Sequence, residues 1–131
     1  MARRVAGAAD LDEFGHVNNV RYIAWALDAA WAHSKALGVS FEDYQRVGVG
    51  CVVWRQEFEY LAPVVAGEAV DIATWIAEND GRLRLVRAYD MRRADGARVF
   101  RGRTTFVTID IKTGKPARMP SEFVRAYKPA E

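Results

Sequence analysis

The chain of 131 residues lacks several features that define whole classes of protein. Its single cysteine excludes an internal disulfide bond and a zinc site built from cysteines. With only His16 and His33 as further strong ligands, we expect no metal site. No apolar run approaches the roughly 20 residues that span a bilayer, so we expect no membrane partner. Hydrophobic residues nevertheless make up 50% of the chain, which excludes a disordered protein.

We do not expect the first residues of the sequence to act as a secretory signal peptide. Its first fifteen residues, MARRVAGAADLDEFG, contain two arginines, but aspartates follow after a few small apolar residues. A secretory signal needs a longer apolar segment, so we expect a cytoplasmic protein. The length is that of one domain, and no flexible linker or internal repeat divides the chain. We therefore predict a single domain over residues 1–131.

Positive charge is concentrated in one part of the chain. The net charge is only +2, but residues 82–103 contain eight arginines and two aspartates, a local charge of +6. Arginine binds phosphate through paired donors, so this segment indicates a phosphorylated or acidic partner. The alternative is a solvated sheet face whose arginines pair with acids elsewhere, and charge alone favours that alternative. The sequence lacks the base-stacking motifs of nucleic-acid-binding proteins, so we expect no nucleic-acid partner.

The pattern of apolar and turn-forming residues predicts one long helix followed by strands. Residues 20–37 contain no interior glycine or proline and are apolar on nearly every side, as in a buried helix. Four later segments are rich in β-branched and aromatic residues and are separated by turns. These predicted strands are 49–61, 69–76, 83–91 and 99–111. We further predict a weakly extended N-terminal segment, a loop around Phe41 and Tyr44, and a short helix over 120–127.

These elements define an α+β fold in which a curved antiparallel sheet wraps around one long central helix. A helix this apolar needs cover, and the sheet is the only element large enough to provide it. A single sheet leaves exposed edges and one uncovered face. We therefore expect the chain to pair with a second copy, as a homodimer or homotetramer.

The densest cluster of reactive side chains lies directly before the predicted helix. Residues 10–19 read DLDEFGHVNN and bring aspartates, one histidine and two asparagines together. The N–H groups at a helix start stabilise a developing oxyanion, and an adjacent aspartate or histidine can act as nucleophile, base or polarising donor. The competing explanation is that aspartate and asparagine simply cap the helix and its turn. Spacing alone does not separate these explanations.

The segment DLDEFGHVNNVRYIAW resembles the signature of hotdog-fold acyl thioesterases, in particular the plant acyl-ACP thioesterases and the bacterial 4-hydroxybenzoyl-CoA thioesterase-like group. The plant pattern D-x-D-x-N-x-H-V-N-N, followed by V-K/R-Y, is matched at nearly every position. A weaker likeness continues at WRQE (54–57), FEYLAP (58–63) and TGKP (113–116). The resemblance implies a hotdog fold and hydrolysis of acyl-CoA or acyl-ACP thioesters without a cofactor.

The resemblance also implies roles for individual residues. Asp12 matches the aspartate at the scissile thioester, as nucleophile or base, while His16 and Glu57 match the plant-type histidine and glutamate. Phe14 departs from the pattern, because plant enzymes have an active-site asparagine at this position. This departure leaves open the alternative that the protein binds acyl thioesters without hydrolysing them. Substrate contacts would come from Asn18, Asn19, Val20 and Tyr22, and phosphate or carrier contacts from Arg82, Arg84, Arg87, Arg101 and Arg103.

Two further side chains that are able to carry chemistry receive structural interpretations. Cys51 lies outside the matched motifs, and we interpret it as a buried strand thiol. His33 is interpreted as a solvated or capping residue near the end of the helix.

Hotdog dehydratases are a further alternative function for the resemblance. Their histidine normally lies in a motif with different spacing and turn residues, so we do not favour this alternative.

Overall fold

A computed structural model describes residues 2–130. The elements, in chain order, are β1 (Ala2–Val5), a 3₁₀ turn (Ala8–Asp10), α1 (Asn19–Ala36), α2 (Phe41–Val47), β2 (Val49–Tyr60), β3 (Ala69–Asn79), β4 (Arg84–Arg93), β5 (Arg98–Asp110) and α3 (Ser121–Ala126). The long helix, the four predicted strands and the terminal helix are confirmed, although some of their ends differ by a few residues.

The strands form one sheet in the order β1-β3-β4-β5-β2, so β1 and β2 are its edges. Strand β1 pairs antiparallel with β3, with Ala2 opposite Ile72 and Val5 opposite Ala69. An ion pair between Arg3 and Asp71, with a shortest distance of 2.7 Å, spans this pairing. The N-terminal segment is therefore a fifth strand, which corrects the expected four-stranded sheet. Four residues are too few for an alternating pattern to be recognised in the sequence.

Residues 41–47 form helix α2, so the loop predicted around Phe41 and Tyr44 is wrong. The Oγ of Ser40 accepts a hydrogen bond from the N–H of Asp43, and the Asp43 carboxylate accepts one from the N–H of Ser40 at 2.8 Å. This reciprocal capping box supports a helix too short to be stable alone. Gly48 then ends it in the left-handed conformation, with φ of 78°.

The described chain contains two compact units, and the first comprises residues 2–30, 58–74 and 89–102. Its core combines one stripe of α1 with side chains of β3, β4 and β5. The helix contributes Tyr22, Trp25, Ala26, Ala29 and Ala30, and the strands contribute Val70, Ile72, Tyr89, Met91, Val99 and Phe100. The spacing of three and four residues places the helical side chains on one face. Burial is confined to this stripe, since Leu27 of the same helix is 40% exposed.

The second unit comprises residues 31–57, 75–88 and 103–130. Its apolar core is built mainly from the short helices and the neighbouring strands. The buried members are Val39, Tyr44, Ile76, Leu85, Met119, Phe123 and Tyr127. The N-terminal half of β2 and helix α3 both contribute side chains that pack against this cluster. The prediction of a single domain over residues 1–131 stays a prediction.

A buried polar network runs through the second unit, and Arg87 is its centre. The Arg87 side chain is only 3% exposed and donates to Nδ1 of His33 at 2.8 Å and to Oγ of Ser34 at 3.1 Å. The hydroxyl of Tyr127 donates to the same Oγ at 3.0 Å and is hydrogen-bonded to the hydroxyl of Tyr44. Because a guanidinium only donates, Nδ1 of His33 must be unprotonated. His33 is therefore the acceptor for a buried cation, which corrects its interpretation as a solvated or capping residue.

This network makes the stability of the protein depend on pH. Burial and, next, the positive charge of Arg87 lower the pKa of His33 below its ordinary value of 6.5. The unfolded chain therefore binds the His33 proton more readily than the folded chain does. The contribution of neutral His33 to stability is fully present above pH 6.5 and is lost as the pH falls from 6.5 through the lowered pKa. We expect the urea concentration at which half of the wild-type protein is unfolded to decrease as the pH is lowered from about 7.5 to about 5.

The matched variant for this measurement is His33→Asn, whose amide oxygen can accept the same hydrogen bond at every pH. We expect its urea midpoint to change less over the same pH range than that of the wild type. Equal changes in the two proteins would show that another group is responsible.

Candidate functional site

The residues before α1 form a narrow loop closed by backbone hydrogen bonds. Leu11 and Val17 make an isolated antiparallel bridge, and the N–H of Asp12 donates to the carbonyl oxygen of His16 at 2.7 Å. Gly15 reverses the chain with φ of 75°, a conformation that a residue with a Cβ adopts only at a cost. We refer to residues 11–17 as the Asp12 loop.

The carboxylate of Asp12 organises this loop from the inside. Its Oδ1 accepts hydrogen bonds from the N–H of Phe14 at 2.9 Å and from the N–H of His16 at 3.3 Å. Such a side-chain-to-backbone arrangement is typical of an aspartate that begins a turn. Within residues 2–130, Oδ2 of Asp12 receives no hydrogen bond. One carboxylate oxygen therefore shapes the loop, and the other is left for a different partner.

The start of α1 is tied down by three hydrogen bonds. The N–H of Val17 donates to the carbonyl oxygen of Val64 at 2.8 Å, and the N–H of Asn18 donates to that of Asp10 at 2.8 Å. The side-chain Oδ1 of Asn18 accepts the N–H of Val20 at 3.1 Å, as a helix cap does. The N–H of Asn19, the first of the helix, has no acceptor among residues 2–130. Among the N–H groups of residues 17–20, it is therefore the one that can donate a hydrogen bond to a ligand.

The Asp12 loop and the start of α1 border a cavity of about 500 Å³. Of the site residues predicted from sequence, Asp12, His16, Asn19 and Tyr22 all line it. The other lining residues are Val17, Tyr60, Leu61, Ala62 and Pro63. The last four were not among the site residues predicted from the sequence. Their signal was the segment FEYLAP at the end of β2, which matched the family only as a strand pattern.

The remaining predicted site residues have other positions. Asn18 and Val20 do not line the cavity but form the cap of α1 described above. Glu57 lies on β2 in the second unit, where its carboxylate is exposed and 3.3 Å from the guanidinium of Arg55. The predicted roles of all these residues stay predictions.

Aromatic rings form one wall of the cavity. The ring of Tyr22 stacks on Phe100 with centroids 5.5 Å apart, and Tyr60 packs edge-on against both rings. Burial raises the pKa of both tyrosines, and the proximity of Tyr60 raises the pKa of Tyr22 further. Both hydroxyls therefore stay protonated well above neutral pH and can donate hydrogen bonds there.

The predicted phosphate-binding arginines are in different environments. Arg101 makes a two-pronged ion pair with Glu59 at 2.9 and 3.2 Å, and Arg103 lies 3.4 Å from Glu78. The guanidinium groups of Arg82 and Arg84 form no ion pair among residues 2–130, although Oδ1 of Asp80 accepts their backbone N–H groups at 2.8 and 3.0 Å. The Arg84 guanidinium instead lies over the ring of Trp54, 5.0 Å from its centroid. Arg87 differs from the others, because its buried side chain faces the interior network.

Neither a metal centre nor a reactive thiol is evident in the part of the chain that is described. Across residues 2–130, no three side chains of histidine, cysteine, aspartate or glutamate come together as metal ligands. Cys51 is half-buried on β2, and burial raises the pKa of its thiol. The thiol is therefore protonated at neutral pH, in which form it is a poor nucleophile. No helix within residues 2–130 has both the length and the apolar character that crossing a membrane requires.

Comparison with known proteins identifies the family. The model of the Thioesterase-like superfamily matches residues 6–127. The long-chain acyl-CoA thioesterase FadM of Escherichia coli is 27% identical over 112 residues, which are 86% of this chain and 84% of FadM. The DHNA-CoA thioesterase of Staphylococcus aureus superposes with a TM-score of 0.86 at 26% identity, covering 96% of this chain and 86% of that protein.

A third similarity concerns the fold alone. The protein SAV2348 of Staphylococcus aureus, determined in complex with CoA, superposes with a TM-score of 0.88 at 15% identity, covering 99% of this chain and 85% of that one. Its sheet and helix arrangement is that of this chain. The chain belongs to the Thioesterase-like superfamily, and its fold is the hotdog fold, as predicted.

The two hydrogen bonds that Asp12 accepts generate a prediction about stability. Replacement by alanine removes the acceptor for two N–H groups, whereas asparagine keeps an oxygen at the same position. We expect Asp12→Ala to lower the free energy of unfolding by about 1 kcal/mol and Asp12→Asn to lower it by less than half as much. Urea denaturation measures both values. Equal losses would mean that the two hydrogen bonds do not hold the loop.

Proposed function

We propose that the protein is an acyl thioesterase that hydrolyses acyl-CoA or acyl-ACP thioesters to a free acid and a thiol. One observation carries this proposal: Asp12, His16 and the first residue of α1 line a single cavity. A carboxylate, an imidazole and an unpaired N–H are the groups that acyl transfer to water requires. Family membership and the thioesterase activities named for its relatives agree with this chemistry.

The thioester carbonyl would lie with its oxygen toward the N–H of Asn19. That N–H, at the positive end of the dipole of α1, stabilises the negative charge that develops on the oxygen. The thioester carbon is then exposed to attack from the side of Asp12. Neither a metal nor a cofactor is required, because a thioester is already activated toward acyl transfer.

Two routes lead from this arrangement to products. In the first, a carboxylate oxygen of Asp12 attacks the carbonyl carbon, the carbon–sulfur bond breaks, and water hydrolyses the resulting mixed anhydride. In the second, Asp12 takes a proton from water, the water oxygen attacks the carbon, and the departing thiolate receives the proton. The unoccupied Oδ2 of Asp12 is available for either role. His16 would orient the thioester or the water, and Glu57, across a dimer interface, would activate water.

A second candidate function keeps the fold and the ligand but not the hydrolysis. Phe14 stands where plant enzymes have an active-site asparagine, and its side chain is 85% exposed at the tip of the Asp12 loop. In a binding protein, Asp12 would serve only to shape that loop. Turnover distinguishes the two candidates.

The exposed arginines are proposed to contact the carrier of the acyl group. CoA has three phosphates and acyl carrier protein has an acidic surface, and either suits an arginine-rich segment. Arg82 and Arg84 support this role best, because their exposed guanidinium groups form no ion pair among residues 2–130. Arg101 and Arg103 would have to exchange their glutamate partners for phosphate. Arg87 would contribute only if its buried side chain were released.

The activity is tested by measuring thiol release from a panel of aliphatic and aromatic acyl-CoAs and acyl-ACPs. We expect the wild type to hydrolyse at least one of these thioesters. Asp12→Asn should lower kcat by roughly 10²-fold or more, and His16→Gln should lower it by roughly 10-fold or more, as losses of groups that act on the reacting atoms do. Glu57→Gln in the same assay tests the third predicted residue.

Glu13→Gln provides the matched control, because Glu13 is exposed and adjacent to Asp12 but does not line the cavity. Its kcat should equal that of the wild type. If the folded wild type binds acyl-CoA but releases no thiol from any substrate, the enzyme proposal is wrong and the protein is an acyl-thioester-binding protein.

We also propose that the protein is a homodimer or homotetramer. Strand β2 is an edge of the sheet, and Val52, Val53 and Trp54 on it are 39–58% exposed. An exposed, apolar edge strand of this length is a template for pairing with another strand. Pairing with a second copy would cover these side chains.

Light scattering after size-exclusion chromatography tests this proposal. The wild type should have at least twice the 14.7 kDa mass of one chain. Val53→Lys, which places a charge on the edge, should shift the protein toward the monomer. Val65→Lys is the control, because Val65 is similarly exposed but lies outside the strands, and its mass should not change. A monomeric wild type would refute the proposal.

A further inference from the structure

Tyr60, the last residue of β2, reaches the start of α1. Its ring packs edge-on against Tyr22 and Phe100, with centroid distances of 5.5 and 5.3 Å, so the ring has a defined position. Its hydroxyl donates a hydrogen bond to the carbonyl oxygen of Asn19 at 3.3 Å. No role for Tyr60 follows from the motif that precedes the helix.

This hydrogen bond acts on the peptide group between Asn19 and Val20. The N–H of that peptide group is already held by Oδ1 of Asn18 at 3.1 Å. Tyr60 holds the carbonyl end, so both ends of one peptide plane are fixed by side chains. The preceding peptide group, which carries the N–H of Asn19, is fixed at its carbonyl by the N–H of Arg21 at 2.9 Å. The direction of the unpaired Asn19 N–H follows from these two planes.

The first turn of this helix needs such support. Asn19 and Val20 are exposed, and helix ends fray where no side chain holds them. A hydrogen-bond donor contributes to catalysis only when it already points to where charge develops, because reorientation during the reaction has its own cost.

We propose that Tyr60 is a positioning residue that holds the first turn of α1 so that the Asn19 N–H is directed at the thioester oxygen. This role rests on the proposed function, since it takes that N–H as the oxyanion donor. Because Tyr60 acts through Asn19, it should affect kcat rather than substrate binding. Partial burial also raises the pKa of Tyr60, so its hydroxyl remains a donor throughout the pH range of a thioesterase assay.

The variant Tyr60→Phe separates this role from packing, because it keeps the ring and removes only the hydroxyl. We expect kcat to fall roughly 5- to 30-fold, less than the 10²- to 10³-fold that follows loss of an oxyanion donor itself. KM should change less than about twofold and the thermal midpoint by no more than about 3 °C. Tyr127→Phe is the matched control: it removes a hydroxyl from the buried polar network, so it should lower the thermal midpoint and leave kcat unchanged.

A second measurement does not depend on turnover. In ¹⁵N–¹H spectra with hydrogen exchange, Tyr60→Phe should shift the amide signals of Asn19 and Val20 and speed the exchange of the hydrogen-bonded Val20 amide, while the amides in the middle of α1 keep wild-type values. Unchanged amides would overturn the positioning role, as would an unchanged kcat in an active enzyme. If the wild type hydrolyses no thioester, the proposed function fails, and the amide measurement still decides whether Tyr60 holds the helix start.

Discussion

The arrangement of the cavity depends on one constraint, which is that the chain entering α1 must be held while its first N–H stays free. Backbone hydrogen bonds to Val64 and Asp10 hold this entry from two sides. Asn18 completes the cap with its side chain. A helix start that took all its N–H groups into such bonds would be more stable but would have no donor to offer. Here the N–H of Asn19 has no acceptor among residues 2–130, and Asn19 is one of the residues that line the cavity.

Asp12 shows why structural and catalytic explanations of this motif were inseparable in the sequence. Aspartate is favoured in turns because its carboxylate accepts nearby N–H groups, and Oδ1 does so here. Aspartate is also favoured at sites of acyl transfer, and Oδ2 receives no hydrogen bond within residues 2–130. The two explanations do not exclude each other, since each uses a different oxygen of the same side chain. A pattern of residue types carries no information about single atoms, so only coordinates show that Oδ1 accepts both N–H groups while Oδ2 accepts none within residues 2–130.

Periodicity predicted the long helix, which buries one stripe, and helped with β3, whose first residues alternate between buried and half-buried. Strand β2 has no buried residue, so its β-branched and aromatic composition identified it instead. The same signals missed β1 and α2, whose stability comes from elsewhere. Strand β1 is four residues long and is held by pairing with β3, and α2 is held by its capping box. Of the residues that line the cavity, Asp12, His16, Asn19 and Tyr22 were among the predicted site residues, whereas Tyr60 to Pro63 were not. They reach the cavity through the tertiary fold, and nothing local distinguishes them from an ordinary end of a strand.

The arginine-rich segment shows that the charge presented by a surface also depends on residues that are distant in sequence. A charge of +6 over residues 82–103 predicts a strong field only if the arginines are exposed and unpaired. Instead, Arg101 is neutralised by Glu59 from another strand, and Arg87 is buried against His33. Both partners are distant in sequence, so the local sum overstates the charge that a ligand meets. Among residues 2–130, the guanidinium groups of Arg82 and Arg84 form no ion pair, and the nearby Asp80 carboxylate accepts their backbone N–H groups. The useful quantity for substrate recognition is thus the charge left after internal pairing, and it is several units smaller than the count of arginines indicates.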